Sequence, residues 1–246
     1  MKKSWILGLL AGLWLLGTSN GFSQAEVRGD VHLFQNFLLD APIASTFYGE
    51  GGLAYSTYEF FKAFQFGIRG GYPITPKFEM GGEISFINAD PDQGDGESGI
   101  SDLTVAGRYN VMSDKANLSV GGYITLPIGS EDVGQSNTDI GLFGAVRYPF
   151  SGSKLVLTGT AGLEFLEAGD DRETSLLIAP GLLFPATPQL SVIGELSIRT
   201  EGEYMLLSGG LDYALKAGSH LRGGIGLGLD DGAPDFMFLA SFLHNF

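Results

Sequence analysis

Residues Leu155–Phe165 read LVLTGTAGLEF, and the reading of this stretch decides the fold. Leu155, Leu157, Gly159, Ala161, Leu163 and Phe165 fall on one side of an extended chain; Val156, Thr158, Thr160, Gly162 and Glu164 fall on the other. Side chains alternate faces along a strand, so the two faces here meet different surroundings. The alternation recurs nearby. Leu118, Val120, Gly122, Ile124 and Leu126 oppose Asn117, Ser119, Gly121, Tyr123 and Thr125, and Leu103, Val105, Gly107 and Tyr109 oppose Asp102, Thr104, Ala106 and Arg108. Working outward, twelve such segments are expected near 45–58, 60–72, 77–88, 100–111, 116–128, 138–149, 154–167, 174–185, 189–200, 203–216, 219–229 and 235–246. The segment at 174–185 alternates least, because Leu177 and Leu183 fall on its nominally polar face. At about 11–14 residues these strands exceed the five or six usual in soluble sheets. They suit a tilted membrane-crossing strand of roughly 9–11 residues with interfacial ends.

The connections sort by parity. Those after even-numbered segments are tight: Ile74-Thr75-Pro76, Ser113-Asp114, Ser151-Gly152-Ser153, Ala186-Thr187-Pro188 and Ala217-Gly218. Most of those after odd-numbered segments are longer and acidic, at 89–99, 129–137, 168–173 and 230–234. Short turns on one rim and longer loops on the other are the arrangement of outer-membrane barrels. A soluble sandwich has no reason to sort its loops this way. The expected fold is therefore all-β: a transmembrane, antiparallel, up-and-down β-barrel of twelve strands.

Composition agrees. The 246 residues include 38 glycines, about double ordinary usage. Barrels use glycine at bends and crowded interior points. Only 17% of residues are charged, as expected when one strand face meets lipid, and the 12% aromatic content excludes a disordered acidic chain. A net charge of −14 argues against nucleic acid as a partner. With no cysteine, disulfides, thiolate metal sites and cysteine nucleophiles are excluded.

Lys2 and Lys3, the apolar run from Trp5 to Gly17 and the small-residue site Ser23-Gln24-Ala25 form the pattern of a secretory signal peptide over 1–25. Removing it leaves twelve bases against 28 acids, a net charge of −16. Residues 26–44 then precede the barrel as a periplasmic or plug segment. Phe34, Phe37 and Leu38 have helical spacing, so a short helix and an extended leader are both open. The barrel occupies 45–246. Its last strand places Phe236, Phe238, Ala240, Phe242, His244 and Phe246 on one face, like the C-terminal strand that the outer-membrane assembly machinery recognises. Expected partners are the lipid bilayer, lipopolysaccharide, that machinery through Phe246, and a small-molecule solute. A monomer in the outer membrane of a Gram-negative-type bacterium is expected.

Parity sorts charge as well. Arg69, Arg108, Arg147, Arg199 and Arg222 are expected to face the lumen, with Glu50, Glu79, Glu83, Asp102, Glu164, Glu195 and Asp212. Facing lipid, a basic residue at mid-membrane would cost about 2–4 kcal/mol. Strand direction places Arg69, Arg108, Arg147 and Arg222 toward the short-turn end, opposite an acidic outer rim. Two readings follow. The charges line a solute pathway, making the protein a passive channel or transporter. Alternatively they pair (Arg69 with Glu79 across a hairpin, for instance) and fill a structural or surface-interaction barrel. An enzyme is not expected: His32, His220 and His244 all fall away from the acidic loops, leaving no candidate base there. No cofactor motif occurs, and the acidic run Asp90–Glu97 fails the calcium-loop pattern, with Gly94 at position five and Ser101 at position twelve.

Three stretches carry a family resemblance: Gly99-Ile-Ser-Asp102-Leu-Thr-Val-Ala-Gly-Arg108-Tyr109, Thr125-Leu-Pro127-Ile-Gly129-Ser and Thr138-Asp139-Ile-Gly-Leu. They resemble outer-membrane proteins named for the meta-pathway of phenol degradation, which often show Gly-x-Gly-Asp followed by Leu-Pro-Thr-Gly. Ser101 and Ile128 depart from that pattern. The resemblance implies a barrel that takes up small, often hydrophobic or aromatic compounds.

Overall fold

The computed structural model describes residues 29–246 apart from 132, 135, 136, 169, 170 and 217. The expected signal peptide lies outside the described residues. The strands are β1 (Tyr48–Thr57), β2 (Phe61–Thr75), β3 (Phe78–Pro91), β4 (Glu97–Ile100), β5 (Leu103–Met112), β6 (Asn117–Leu126), β7 (Ile140–Pro149), β8 (Val156–Ala168), β9 (Asp171–Pro185), β10 (Leu190–Arg199), β11 (Tyr204–Ala214), β12 (Ser219–Gly228) and β13 (Phe236–Asn245). All pairings are antiparallel between neighbours. β4 and β5 both pair with β3 and are two halves of one stave, so the wall has twelve staves. β13 returns to β1, from Tyr48↔Asn245 to Thr57↔Phe236, and closes the barrel. Closure gives every stave a ladder partner on both sides, as a wall in lipid requires.

Burial follows parity. On β7, Gly141, Phe143, Ala145 and Arg147 are buried while Ile140, Leu142 and Tyr148 are exposed. β2 turns Phe64, Phe66 and Ile68 outward, and β13 turns out Phe236, Phe238 and Phe242. An apolar surface circling the whole wall is far larger than a soluble monomer exposes, and it matches a lipid-facing belt. Two connections expected as loops are partly strand. β3 runs to Pro91 and β4 starts at Glu97, while β8 and β9 extend to Ala168 and from Asp171. Polar residues beyond the lipid can stay in the ladder, so the staves project past the apolar belt.

The hydrophobic core lies inside the barrel. Gly29–Phe47 contains neither helix nor strand, so the helical spacing of Phe34, Phe37 and Leu38 does not produce a helix. Val31, Leu33 and Phe34 pack instead on Val156, Leu183 and Ile193 of the inner wall. Phe37, Leu38 and Ala44 pack with Tyr48, Ala106 and Leu243, and Ala41 packs with Phe143 and Ala145. Each fully buried large side chain contributes about 1.5–3 kcal/mol. This packing accounts for the weak alternation near 174–185. Leu177 and Leu183 face inward and are buried, Leu183 against Val31, Leu33 and Phe34 of the segment.

Two interior glycines are required by close approach. The Tyr48 ring lies against Gly71 and the Tyr123 ring against Gly141, each where a Cβ would sit. Each glycine lets a tyrosine lie flat on the wall and aim its hydroxyl at a carboxylate, Glu79 for Tyr48 and Glu164 for Tyr123.

Candidate functional site

A segment without secondary structure must find partners for its backbone polar groups elsewhere. Here the inner wall supplies them. The Glu195 carboxylate accepts the N–H groups of Phe34 (2.7 Å), Gln35 (3.2 Å) and Asn36 (3.2 Å). Arg222 donates to the carbonyls of His32 and Leu33, Arg69 to that of Phe34 (2.8 Å), and Arg108 to that of Leu38 (3.3 Å). Arg147 donates to the Val31 carbonyl at 2.6 Å, and Thr160 to that of Leu39 at 2.8 Å. Ser119 donates to the Ala41 carbonyl, and Glu79 accepts the Ala44 N–H at 2.8 Å. The charges that parity turns inward thus replace the ladder that this segment lacks.

The charges also pair among themselves. Glu50 accepts from Arg69 (2.9 Å), Arg222 (2.7 Å) and the Ser241 hydroxyl. Arg222 reaches on to Asp212 at 3.0 Å, and Asp212 also meets His220 at 2.6 Å. Arg108 pairs with Glu79 at 2.6 Å, while Arg199 pairs with Glu164 at 3.0 Å. Arg147 grips Asp40 of the segment through two nitrogens, one of them Nε at 2.9 Å. Two guanidiniums also lie over aromatic rings of the segment, Arg69 at 4.0 Å from the Phe37 centroid and Arg222 at 4.4 Å from that of Phe34. Contacts of this kind contribute from about 0.5 to 2 kcal/mol, with the larger values for desolvated pairs.

The expected Arg69–Glu79 pair does not form. Register sets Glu83 opposite Arg69 and Glu79 opposite Pro73 within the β2–β3 hairpin. The direct cross-strand partners are Glu50 for Arg69 and Arg108 for Glu79, on the other neighbouring strands. Glu83 lines open space above the segment. Asp102 lines it too and accepts the Gly129 N–H at 2.9 Å. Sequence reasoning did not reach Asp40, Tyr48, Tyr123 or Ser241. Asp40 carries no strand periodicity to betray its partner, and the hydroxyls sit at inward positions that parity alone treats as filler.

Above the segment the outer half of the lumen is hollow. One cavity of about 500 Å³ is floored by Phe34 and Gln35 and walled by Glu50, Arg69, Glu83 and Asp102. A second, of about 690 Å³, is floored by Gln35, Leu38 and Leu39. Its walls carry Glu83, Asp139, Glu164, Glu167, Glu173 and Glu201 against Arg199. Gln35, Glu83, Thr104, Thr125 and Asp139 line both, so the two are neighbouring parts of one vestibule.

His32 sits at the centre of the buried cluster, stacked on Tyr48 at 4.1 Å and tilted against Phe37 at 5.1 Å. Burial first, then Arg222, Arg108, Arg147 and Arg69, hold its pKa well below the ordinary 6.5. The docked form therefore keeps His32 neutral, while a released segment takes up a proton as pH falls below 6.5. The docked segment is expected to be fully stable above that value and to weaken below it. Channel recordings across this range should show openings that grow more frequent in acid. The His32→Gln variant should lose the acid response, and a response that survives in it would exclude His32 as its source.

A closed antiparallel barrel with a lipid-facing exterior, a charged lumen occupied by its own N-terminal segment and a hollow outer vestibule has the architecture of an outer-membrane barrel. The chain belongs to the family described as MetA-pathway of phenol degradation, whose profile matches residues 35–246. Among solved structures, it is similar to the COG4313 outer membrane channel from Pseudomonas putida F1, with a TM-score of 0.71 at 15% identity, covering 85% of this chain and 98% of that one. It is also similar to the NanC porin (TM-score 0.57, 9% identity, 81% and 100% covered) and to the KdgM porin in complex with disordered oligogalacturonate (0.56, 10%, 80% and 99%). No curated protein sequence matches the chain.

Proposed function

We propose that this protein is a gated passive channel for small molecules in the outer membrane, closed in its periplasmic half by the docked segment. The observation that carries this reading is the two-part vestibule, open above a floor made of Phe34, Gln35, Leu38 and Leu39. That floor is held by hydrogen bonds, ion pairs and apolar contacts, and it is joined to the wall covalently through β1. Displacement of one segment therefore extends the vestibule through the barrel without breaking the wall. Family membership and the likeness to channel and porin barrels support the reading, and the family's tie to phenol degradation supports small aromatic or otherwise hydrophobic solutes.

The rival reading is a non-transporting structural or surface-interaction barrel. It draws on the ion pairing of all five inward arginines, Arg69, Arg108, Arg147, Arg199 and Arg222. Planar-bilayer conductance and liposome swelling with the purified full chain separate the two. Small, intermittent conductance with measurable solute flux is the expected result. Neither conductance nor flux, at any pH that keeps the barrel folded, would favour the structural reading.

A further inference from the structure

Arg199 differs from the other inward arginines. Arg69, Arg108, Arg147 and Arg222 all donate to carbonyls of the docked segment; among the described residues Arg199 makes no such bond. It stands above that segment at the end of β10, where it lines the 690 Å³ cavity with 35% of its side chain exposed. Three side chains fix its guanidinium in place. Glu164, buried on β8, accepts the Nε–H on its two carboxylate oxygens at 3.0 Å and 3.3 Å. The Tyr123 hydroxyl donates to the same carboxylate at 2.7 Å and holds it from β6. Tyr204 lies opposite Arg199 in the β10–β11 ladder, its ring centroid 5.2 Å from the guanidinium carbon.

Glu164 is bonded by Nε alone, so both Nη groups are left over from that ion pair. A guanidinium presents its donors as a rigid fork that matches the two oxygens of a carboxylate. A fork held still in advance loses little rotamer freedom on binding, which suits one placed on the wall of a cavity. A volume of this size accommodates a small organic molecule.

The rest of the cavity says what else that molecule must carry. Glu83, Asp139, Glu164, Glu167, Glu173 and Glu201 line it with Arg199, an excess of five acids over bases among the described lining residues. A free anion is repelled by that excess before it reaches the fork. A free cation is drawn in, but it leaves the fork without an acceptor and sets a like charge beside it. A zwitterion satisfies both. Its carboxylate meets Arg199, and its ammonium group meets Glu201, two residues further along the chain on the same cavity. Leu38 and Leu39 floor the cavity and Tyr123 packs with the same apolar cluster, which leaves a seat for an apolar body.

We propose that Arg199 and Glu201 form a recognition site in the vestibule for small zwitterions with an apolar body, solutes of the amino-acid type. The proposal rests on the channel reading and narrows the solutes that the vestibule admits. Three indole compounds of similar size test it: tryptophan is a zwitterion, tryptamine a cation and indole-3-propionate an anion. Their binding to the purified full-length chain is measured by isothermal titration, and solute flux by liposome swelling is followed on the same preparation. Tryptophan is expected to bind about tenfold more tightly than either analogue, because each analogue lacks one charge-assisted contact.

Arg199→Gln is expected to weaken tryptophan about tenfold while tryptamine binds no more weakly than before. Glu201→Gln is expected to weaken tryptophan while indole-3-propionate binds no more weakly. This crossed pattern reports charge recognition, since a general loosening of the vestibule would weaken all three compounds alike. If Arg199→Gln fails to fold, the titrations of Glu201→Gln decide. Three compounds that bind alike or not at all, or a tryptophan affinity untouched by the substitutions, overturn the site; the channel reading then stands if the wild type passes solute. A wild type that neither conducts nor passes solute, whatever it binds, overturns the channel reading itself.

Discussion

Arg147→Ala is expected to turn a mostly closed barrel into a leaky one. Arg147 is 1% exposed, and its guanidinium holds the Asp40 carboxylate through two nitrogens and the Val31 carbonyl through a third contact. Those partners are two well-separated points of the segment. Removing the guanidinium leaves the Asp40 carboxylate buried, with the Ala41 N–H still donating to it at 2.7 Å. Breaking a buried pair from one side costs about 3–5 kcal/mol, far more than the net worth of the intact pair. Only the docked state bears that cost, because a released Asp40 is solvated. The ratio of docked to released segment should therefore fall by about a hundredfold or more. Open-time fraction in planar bilayers reads the change directly. The double variant Asp40→Ala/Arg147→Ala removes both charges and should recover much of the closure, because no unpaired ion is left behind. An Arg147→Ala channel as quiet as the wild type would exclude this segment as the gate.

Glu50→Ala should instead damage the wall. Glu50 joins Arg69 of β2, Arg222 of β12 and Ser241 of β13, so one carboxylate ties four neighbouring staves across the seam where β1 closes on β13. Its loss leaves the fully buried Arg222 with Asp212 at 3.0 Å as its carboxylate partner, and takes from Arg69 the carboxylate with which it pairs at 2.9 Å. A destabilisation of about 3–5 kcal/mol follows from uncompensated buried charge. The measurement is the temperature at which the compact, heat-modifiable band on a gel gives way to the unfolded one. Glu50→Gln keeps the shape and an acceptor but not the charge, and should fall between Ala and wild type. An unchanged midpoint in Glu50→Ala would mean that water solvates this cluster as well as the carboxylate does.

The two variants divide the lumen by the kind of element that each charge serves. Arg147 acts on a segment with no hydrogen-bonded structure of its own, so its loss is read as gating. Glu50 acts between strands already joined by a ladder, so its loss is read as stability. The strand sequences alone do not make this distinction, because both residues appear there as inward charges among small neighbours.

Lipid explains why so much of the wall was legible. One face of every stave meets hydrocarbon, which tolerates no charge in the middle of the belt, so LVLTGTAGLEF and its counterparts must alternate. The alternation located twelve staves within a few residues. The same constraint explains the inward set of Arg69, Arg108, Arg147, Arg199 and Arg222. It does not reach inside. Leu177 and Leu183 blurred the pattern near 174–185 because part of the lumen is filled with protein, and Phe34, Phe37 and Leu38 mimicked a helix while marking contacts to different staves. The motif around Asp102 and Pro127 was visible as a resemblance, but the hydrogen bond from the Gly129 N–H to the Asp102 carboxylate depends on register between strands.

The sequence by itself therefore determined a twelve-stave barrel pattern and the face that each strand residue takes. These follow from local periodicity against a uniform solvent, and each segment reports them independently. Which acid meets which arginine, and that the region before the first strand occupies the lumen, were decided only by the tertiary structure. Those facts join residues as far apart as Arg222 and His32, and they depend on register, closure and the dry volume that closure creates.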